Sequence, residues 1–153
     1  MISVEELMTV NPHTLRETDT LHDAWQIMTD KRIRHIPITD ETGHLHGLVT
    51  QRDVLAATNP ATAGNDGGDG AAPLASIMIR NISVIHPSDH LRQAALHMQS
   101  HKHGCLPVTV DGKLVGIITD SDFIAIAINL IEQVELLEDQ GDDYSGEDVL
   151  EEP

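Results

Sequence analysis

Two kinds of apolar period run along the chain, and each occurs twice. Leu21, Ala24, Trp25 and Met28, and again Leu91, Ala94, Ala95 and Met98, recur at i, i+3, i+4 and i+7. That spacing predicts two amphipathic helices with those residues on the core face. After each comes a short β-branched run bounded by turn residues, HIPIT at 35–39 and CLPVTV at 105–110, which reads as a strand. Asp40-Glu41-Thr42-Gly43 and Asp111-Gly112 then offer glycine for the positive φ of a tight turn, and HLHGLVT and KLVGIIT return as second strands. Thr20 stands in place to cap the first helix. A further helix opens after Thr50, at QRDVLAAT (51–58), and another after Thr119, at DSDFIAIAINLIEQVELLEDQ (120–140), with the threonines as N-caps and Asp53 and Asp122 third in the helix. Each half therefore predicts β-α-β-β-α, an α/β (α+β) fold.

The two halves are copies. Residues 8–40 lie over 78–110 at a constant shift of 70, and 43–56 over 112–125 at a shift of 69, with 14 identities among 47 pairs. The slip of one residue falls in the hairpin turn. Apolar character is kept at Leu15/Ile85, Ile36/Leu106, Ile38/Val108, Leu48/Ile117, Val49/Ile118 and Leu55/Ile124, so one core is specified twice. The predicted organisation is a first repeat over 2–57, a flexible Gly/Ala/Asp/Pro-rich linker over 58–73, a second repeat over 74–131, and a helix end with acidic tail over 132–153. The linker glycines do not make a phosphate loop, because GDG is followed by AAP and not by Gly-Lys-Ser/Thr opening a helix.

Charge and composition narrow the function. The net charge is −16, but ten acids and no Lys or Arg lie in 132–153, a composition that favours a disordered tail. A negative field and three aromatic residues, Trp25, Phe123 and Tyr144, argue against nucleic acid as a partner. With one cysteine, Cys105, no intrachain disulfide can form, and a reducing compartment is expected. The N-terminal MISVEELMTV lacks the basic start of a signal peptide, and no apolar run reaches the ~20 residues of a membrane span. The expectation is a cytoplasmic protein that does not enter a membrane. Phe123 to Ile131 is apolar nearly all round, which one contact with its own sheet does not explain. A partner helix is expected there.

Two such repeats, each with x-Ile-Pro-Ile or x-Leu-Pro-Val followed by Gly-Leu-Val-Thr-Gln-Arg-Asp or Gly-Ile-Ile-Thr-Asp-Ser-Asp, resemble a tandem pair of cystathionine-β-synthase-type (CBS) domains. The resemblance covers roughly 2–57 and 74–130 and is to the stand-alone CBS pairs of bacteria. It implies two three-stranded sheets side by side with pseudo-two-fold symmetry, and adenine nucleotides (AMP, ADP, ATP) or related adenosyl ligands in two clefts between the repeats. It implies a regulatory module, not an enzyme, that needs no obligatory cofactor and forms a homodimer through the helix containing Phe123 to Ile131. The first cleft would combine Thr50, Arg52, Asp53, Arg34 and His35 with Ile82 and Ser83. The second would combine Thr119, Ser121 and Asp122 with Pro12 and His13, with Gly104 and Cys105 in place of the basic pair. Because Arg forks bind phosphate best, the first cleft is expected to bind more tightly.

The chemistry of Thr-x-x-Asp has two readings. A helix N-terminus offers free N–H groups and a positive dipole end, and a carboxylate one turn in can accept two ribose hydroxyls. The same pair can simply cap its helix. Gly47 and Gly116, preceding it in both copies, favour binding if backbone must approach a ligand there. His97, His101 and His103 have metal-ligand spacing at a helix end, but no recognised zinc pattern completes them, so they are expected as solvent-exposed residues and no metal is assigned. Cys105 beside His103 lacks an orienting third group and reads as a small buried residue, so no catalytic residue is assigned. The alternative to a nucleotide sensor is a metal-binding or purely structural dimeric scaffold.

Overall fold

Thr20 caps the first helix as its position predicts. Its hydroxyl accepts the Asp23 N–H at 3.2 Å, and Asp23 Oδ2 accepts the Thr20 N–H at 3.0 Å. The computed structural model describes residues 1–58 and 70–150, with 142–150 described by backbone alone. Its elements run β1 (Thr9–Val10), α1 (Leu21–Lys31), β2 (His35–Thr39), β3 (Leu45–Thr50), α2 (Gln51–Thr58), α3 (Leu91–His101), β4 (Cys105–Val110), β5 (Lys113–Thr119) and α4 (Asp120–Leu150). Short 3-10 turns at Val4–Glu6 and Leu74–Ser76 precede each repeat's first helix. The chain divides into two compact units, Met1–Ile118 and the segment from Thr119 onward.

Within the first unit the predicted periods land where expected. Leu21, Ala24 and Met28 of α1, and Leu91, Ala94 and Met98 of α3, are buried. Trp25 is not; it is 39% exposed, and Ala95 is only half-buried. Both helices end on a residue in the left-handed region, Arg32 (φ 54°) and Lys102 (φ 55°), whose N–H groups donate to the Met28 and Met98 carbonyls. The β4–β5 turn has positive φ at both Asp111 (52°) and Gly112 (80°), the backbone twist that joins tight antiparallel hairpins. The β2–β3 turn is longer, spanning residues 40–44, and is held by Asp40 Oδ1 accepting the Thr42 and His44 N–H groups at 2.9 and 3.0 Å.

The repeats exchange their leading segments. β1 pairs antiparallel with β5 of the other repeat (Thr9↔Ile117, Val10↔Gly116), giving the order β1-β5-β4. Reciprocally, Ile79 bridges Leu48 in β3, with N–H···O bonds of 2.8 and 2.9 Å. Leu15 and Ile85 complete their own sheets through parallel bridges to Ile38 and Val108. Ser3 pairs with His90, and Pro73 with Thr20. Leu74 and Met78 consequently sit in one core with Leu21, Ala24, Met28, Ile36, Ile38, Val49 and Val54 of the first repeat. A boundary at residue 74 thus divides the sequence but not the packing.

The linker prediction falls mostly outside the described residues, but its end is tied down, since Gly70 O and Ala72 O accept the His22 and Leu21 N–H groups at 2.9 and 3.0 Å. In the second unit, α4 takes in the predicted helix over 120–140, and its backbone continues to Leu150. Leu130, Val134 and Leu137, spaced i, i+4, i+7, carry the helical period past residue 132. Among the described residues no helix is long and apolar enough to cross a membrane.

Candidate functional site

Position 50 ends β3 and opens α2. His35, the first residue of β2, pairs with Thr50, and the Arg34 carbonyl accepts the Gln51 N–H at 2.8 Å. These contacts bring Arg34, His35, Thr50 and Asp53 to one end of the β2–β3 pair. The Thr50 hydroxyl donates to Asp53 Oδ2 at 2.8 Å and accepts the Asp53 N–H at 3.2 Å. The pair therefore caps α2, the structural reading of Thr-x-x-Asp. Capping leaves Asp53 Oδ1 outside these bonds, and an ionised carboxylate has about four acceptor positions. Thr50 and Asp53 are half-buried, while Arg34 and Arg52 are exposed.

Ile82 packs against the small apolar cluster of Leu48, Cys105 and Ile117, which places it beside β3 two residues before Thr50. Ser83 is half-buried, and neither it nor Arg52 is bonded to the Thr50–Asp53 pair among the described residues. Cys105, 5% exposed in that cluster, is a small core residue as expected. In the second unit, Asp122 Oδ2 accepts the Thr119 N–H at 2.8 Å and the Thr119 hydroxyl at 3.2 Å, so the hydroxyl–carboxylate bond of the first pair recurs with the Thr119 N–H as the second donor, and Ser121 is exposed. Pro12 and His13 belong to the first unit, in the segment between β1 and α1.

The glycines have another cause than ligand approach. A Cβ on Gly47 would meet Met78 Sδ at 2.9 Å and the Ile79 carbonyl oxygen at 3.0 Å; one on Gly116 would meet Met8 Sδ at 2.6 Å and Thr9 O at 3.0 Å. They admit the crossing segment of the other repeat. The sequence argument from Gly47 and Gly116 to ligand binding is corrected accordingly. Sequence reasoning also missed Leu74, Met78 and Ile79 as partners of the first repeat. The Met8/Met78 identity was the available signal, because both methionines lie over a glycine of the opposite copy.

Two α/β repeats, each lending an edge segment to the other's sheet and each with a bonded Thr-x-x-Asp pair where a helix leaves the sheet, define a tandem-repeat α/β module. The CBS domain model matches residues 4–59 and 74–129, and the chain belongs to the CBS domain family as a tandem pair. A solved structure from Vibrio cholerae, described as an acetoin utilization protein (AcuB), is 47% identical with a TM-score of 0.78, covering 88% of this chain and 98% of its own. The CBS domain pair of MJ0100, solved with 5′-methylthioadenosine and S-adenosyl-L-methionine, is 26% identical with a TM-score of 0.73 over 84% of this chain and 98% of its own. CBSX2 solved with AMP is 26% identical with a TM-score of 0.74 over 85% and 98%. Homoserine O-acetyltransferase of Methanocorpusculum labreanum is 35% identical over 77% of this chain, which spans only 23% of that enzyme.

Proposed function

We propose that this chain is a ligand-sensing regulatory module that binds an adenosyl nucleotide at the end of the β2–β3 pair, with Asp53 gripping the ribose hydroxyls. Thr50 and Arg52 with Arg34 and His35 supply hydroxyl and cationic donors for phosphate, and Ile82 and Ser83 line the base side. The observation that carries the reading is the placement of Thr50 and Asp53 beside Arg34 and His35, in a fold whose solved relatives hold AMP or S-adenosyl-L-methionine. Regulation requires that the ligand bind one packing of the repeats better than another, since only differential affinity shifts an equilibrium. The likeness to AcuB directs the search for the regulated target to acetoin utilization.

A thermal-shift panel of AMP, ADP, ATP, S-adenosylmethionine and NAD tests this. At about 100 Kd, binding to the native state adds about 2.7 kcal/mol of stability, a readily visible rise in melting temperature. No shift across the panel would sink the proposal in favour of a scaffold.

We further propose a homodimer through the Phe123–Ile131 part of α4. Ile124, Ile128 and Ile131, spaced i, i+4, i+7, are each more than half exposed, a stripe that a second copy of the helix would cover.

A further inference from the structure

At the C-terminal end of α3, three imidazoles pack together. The ring centroids of His97 and His101 lie 4.1 Å apart with planes at 19°, and His103 lies 5.7 Å from each. His101 Nδ1 contacts the His97 carbonyl oxygen at 3.0 Å. Such a bond on one ring nitrogen leaves the Nε2 lone pair free and is the outer contact that metal-bound histidines commonly make. His97 Nε2 is buried and, among the described residues, has no hydrogen-bond partner.

The first repeat supplies an internal comparison. At the shift of 70, His97, His101 and His103 stand over Ile27, Lys31 and Ile33. Ile27 and Ile33 pack against the first core, so the fold asks only for apolar side chains at those two positions. The second repeat places imidazoles at both and a third at the position of Lys31.

We propose that His97, His101 and His103 form a three-histidine site for a borderline divalent transition metal of the zinc class. Zinc–nitrogen bonds of about 2.0–2.1 Å put imidazole centroids on a tetrahedral ion about 5 Å apart. The observed separations of 4.1 and 5.7 Å bracket that value. As the side chains are placed, no group of three or more His, Cys, Asp or Glu among the described residues could hold a metal ion. Loading therefore opens the stacked His97–His101 pair by about 1 Å and turns the rings so that their Nε2 atoms converge. The fourth position is left to water. Because His103 lies beyond the left-handed Lys102, the ion would pin the end of α3 to the start of β4 at Cys105.

The test uses the full chain without a polyhistidine tag, stripped with chelator, and measures zinc by calorimetry and cobalt(II) by its visible absorption. Expected is one zinc per chain and a four-coordinate cobalt spectrum. Both should be lost, with affinity down by more than about 100-fold, the upper range for losing even an outer-shell partner, in His101→Ala. The same loss is expected in His97→Ile/His103→Ile, which installs the first repeat's residues and should keep the fold. A His44→Ala/His46→Ala control, removing exposed histidines elsewhere, should bind as the parent does. Absence of stoichiometric zinc binding in the parent, or binding that survives in His97→Ile/His103→Ile, would overturn the proposal.

Discussion

Replacing Gly47 by alanine puts a methyl group where the segment arriving from the second repeat passes. The new Cβ would stand 2.9 Å from Met78 Sδ, 3.1 Å from Met78 Cγ and 3.0 Å from the Ile79 carbonyl oxygen. Met78 cannot swing clear, being 8% exposed within the first core, and Ile79 O is held by the Leu48 N–H at 2.9 Å. The crossing segment must therefore retreat by about half an ångström, an overpacking that costs roughly 1–3 kcal/mol. The loss of unfolded-state freedom on going from Gly to Ala returns about 0.4–1 kcal/mol. The net is about 1–2 kcal/mol, or roughly 2–8 °C in melting temperature for a chain of this size. Hydrogen exchange should quicken at the Leu48 and Ile79 amides in the variant, while the β4 amides keep their protection. Gly43→Ala is the control, because its Cβ meets nothing within 4 Å and only its φ of +86° is strained. A Gly47→Ala protein as stable as the parent, with unchanged exchange at Ile79, would refute the exchanged edge segments.

Leu74→Ala should cost about 2–5 kcal/mol despite its place in the second repeat's sequence, because Leu74 is fully buried in the first repeat's core; denaturant melts measure it. The Asp23 carboxyl is held below its ordinary 3.8, first by the Thr20 N–H and then by the Thr20 hydroxyl. Its folded value is the lower one, so its contribution is complete above about pH 3.8 and fades as the pH falls below it. The melting difference between parent and Asp23→Asn should accordingly narrow from about pH 6 to about pH 3. On the proposed homodimer, the parent should sediment as a dimer at micromolar concentration and Ile128→Glu as a monomer, without lowering the helical circular dichroism.

Periodicity and turn chemistry made most of the secondary structure legible. The i, i+3, i+4, i+7 sets located α1 and α3, Asp111-Gly112 located a hairpin, and Thr20 located a cap. What escaped were features whose cause lies far along the chain. A two-residue strand such as Thr9–Val10 carries no alternation to read, and the reason for Gly116 is Met8, which no local window contains. The candidate site was legible as residue types at a helix start. Whether Thr50 and Asp53 cap the helix or also bind depends on Arg34 and His35 reaching the same strand end, which needs the β2–β3 register.

Calorimetric titration of AMP, ATP and S-adenosylmethionine into the parent, Asp53→Ala and Asp122→Ala proteins tests the central claim most directly. A carboxylate bonded to ribose is worth about 1.5–3 kcal/mol, so Asp53→Ala should weaken the tightest ligand about 10- to 100-fold, and more than Asp122→Ala does. Affinity unchanged by Asp53→Ala would contradict the assignment of the ribose to that carboxylate.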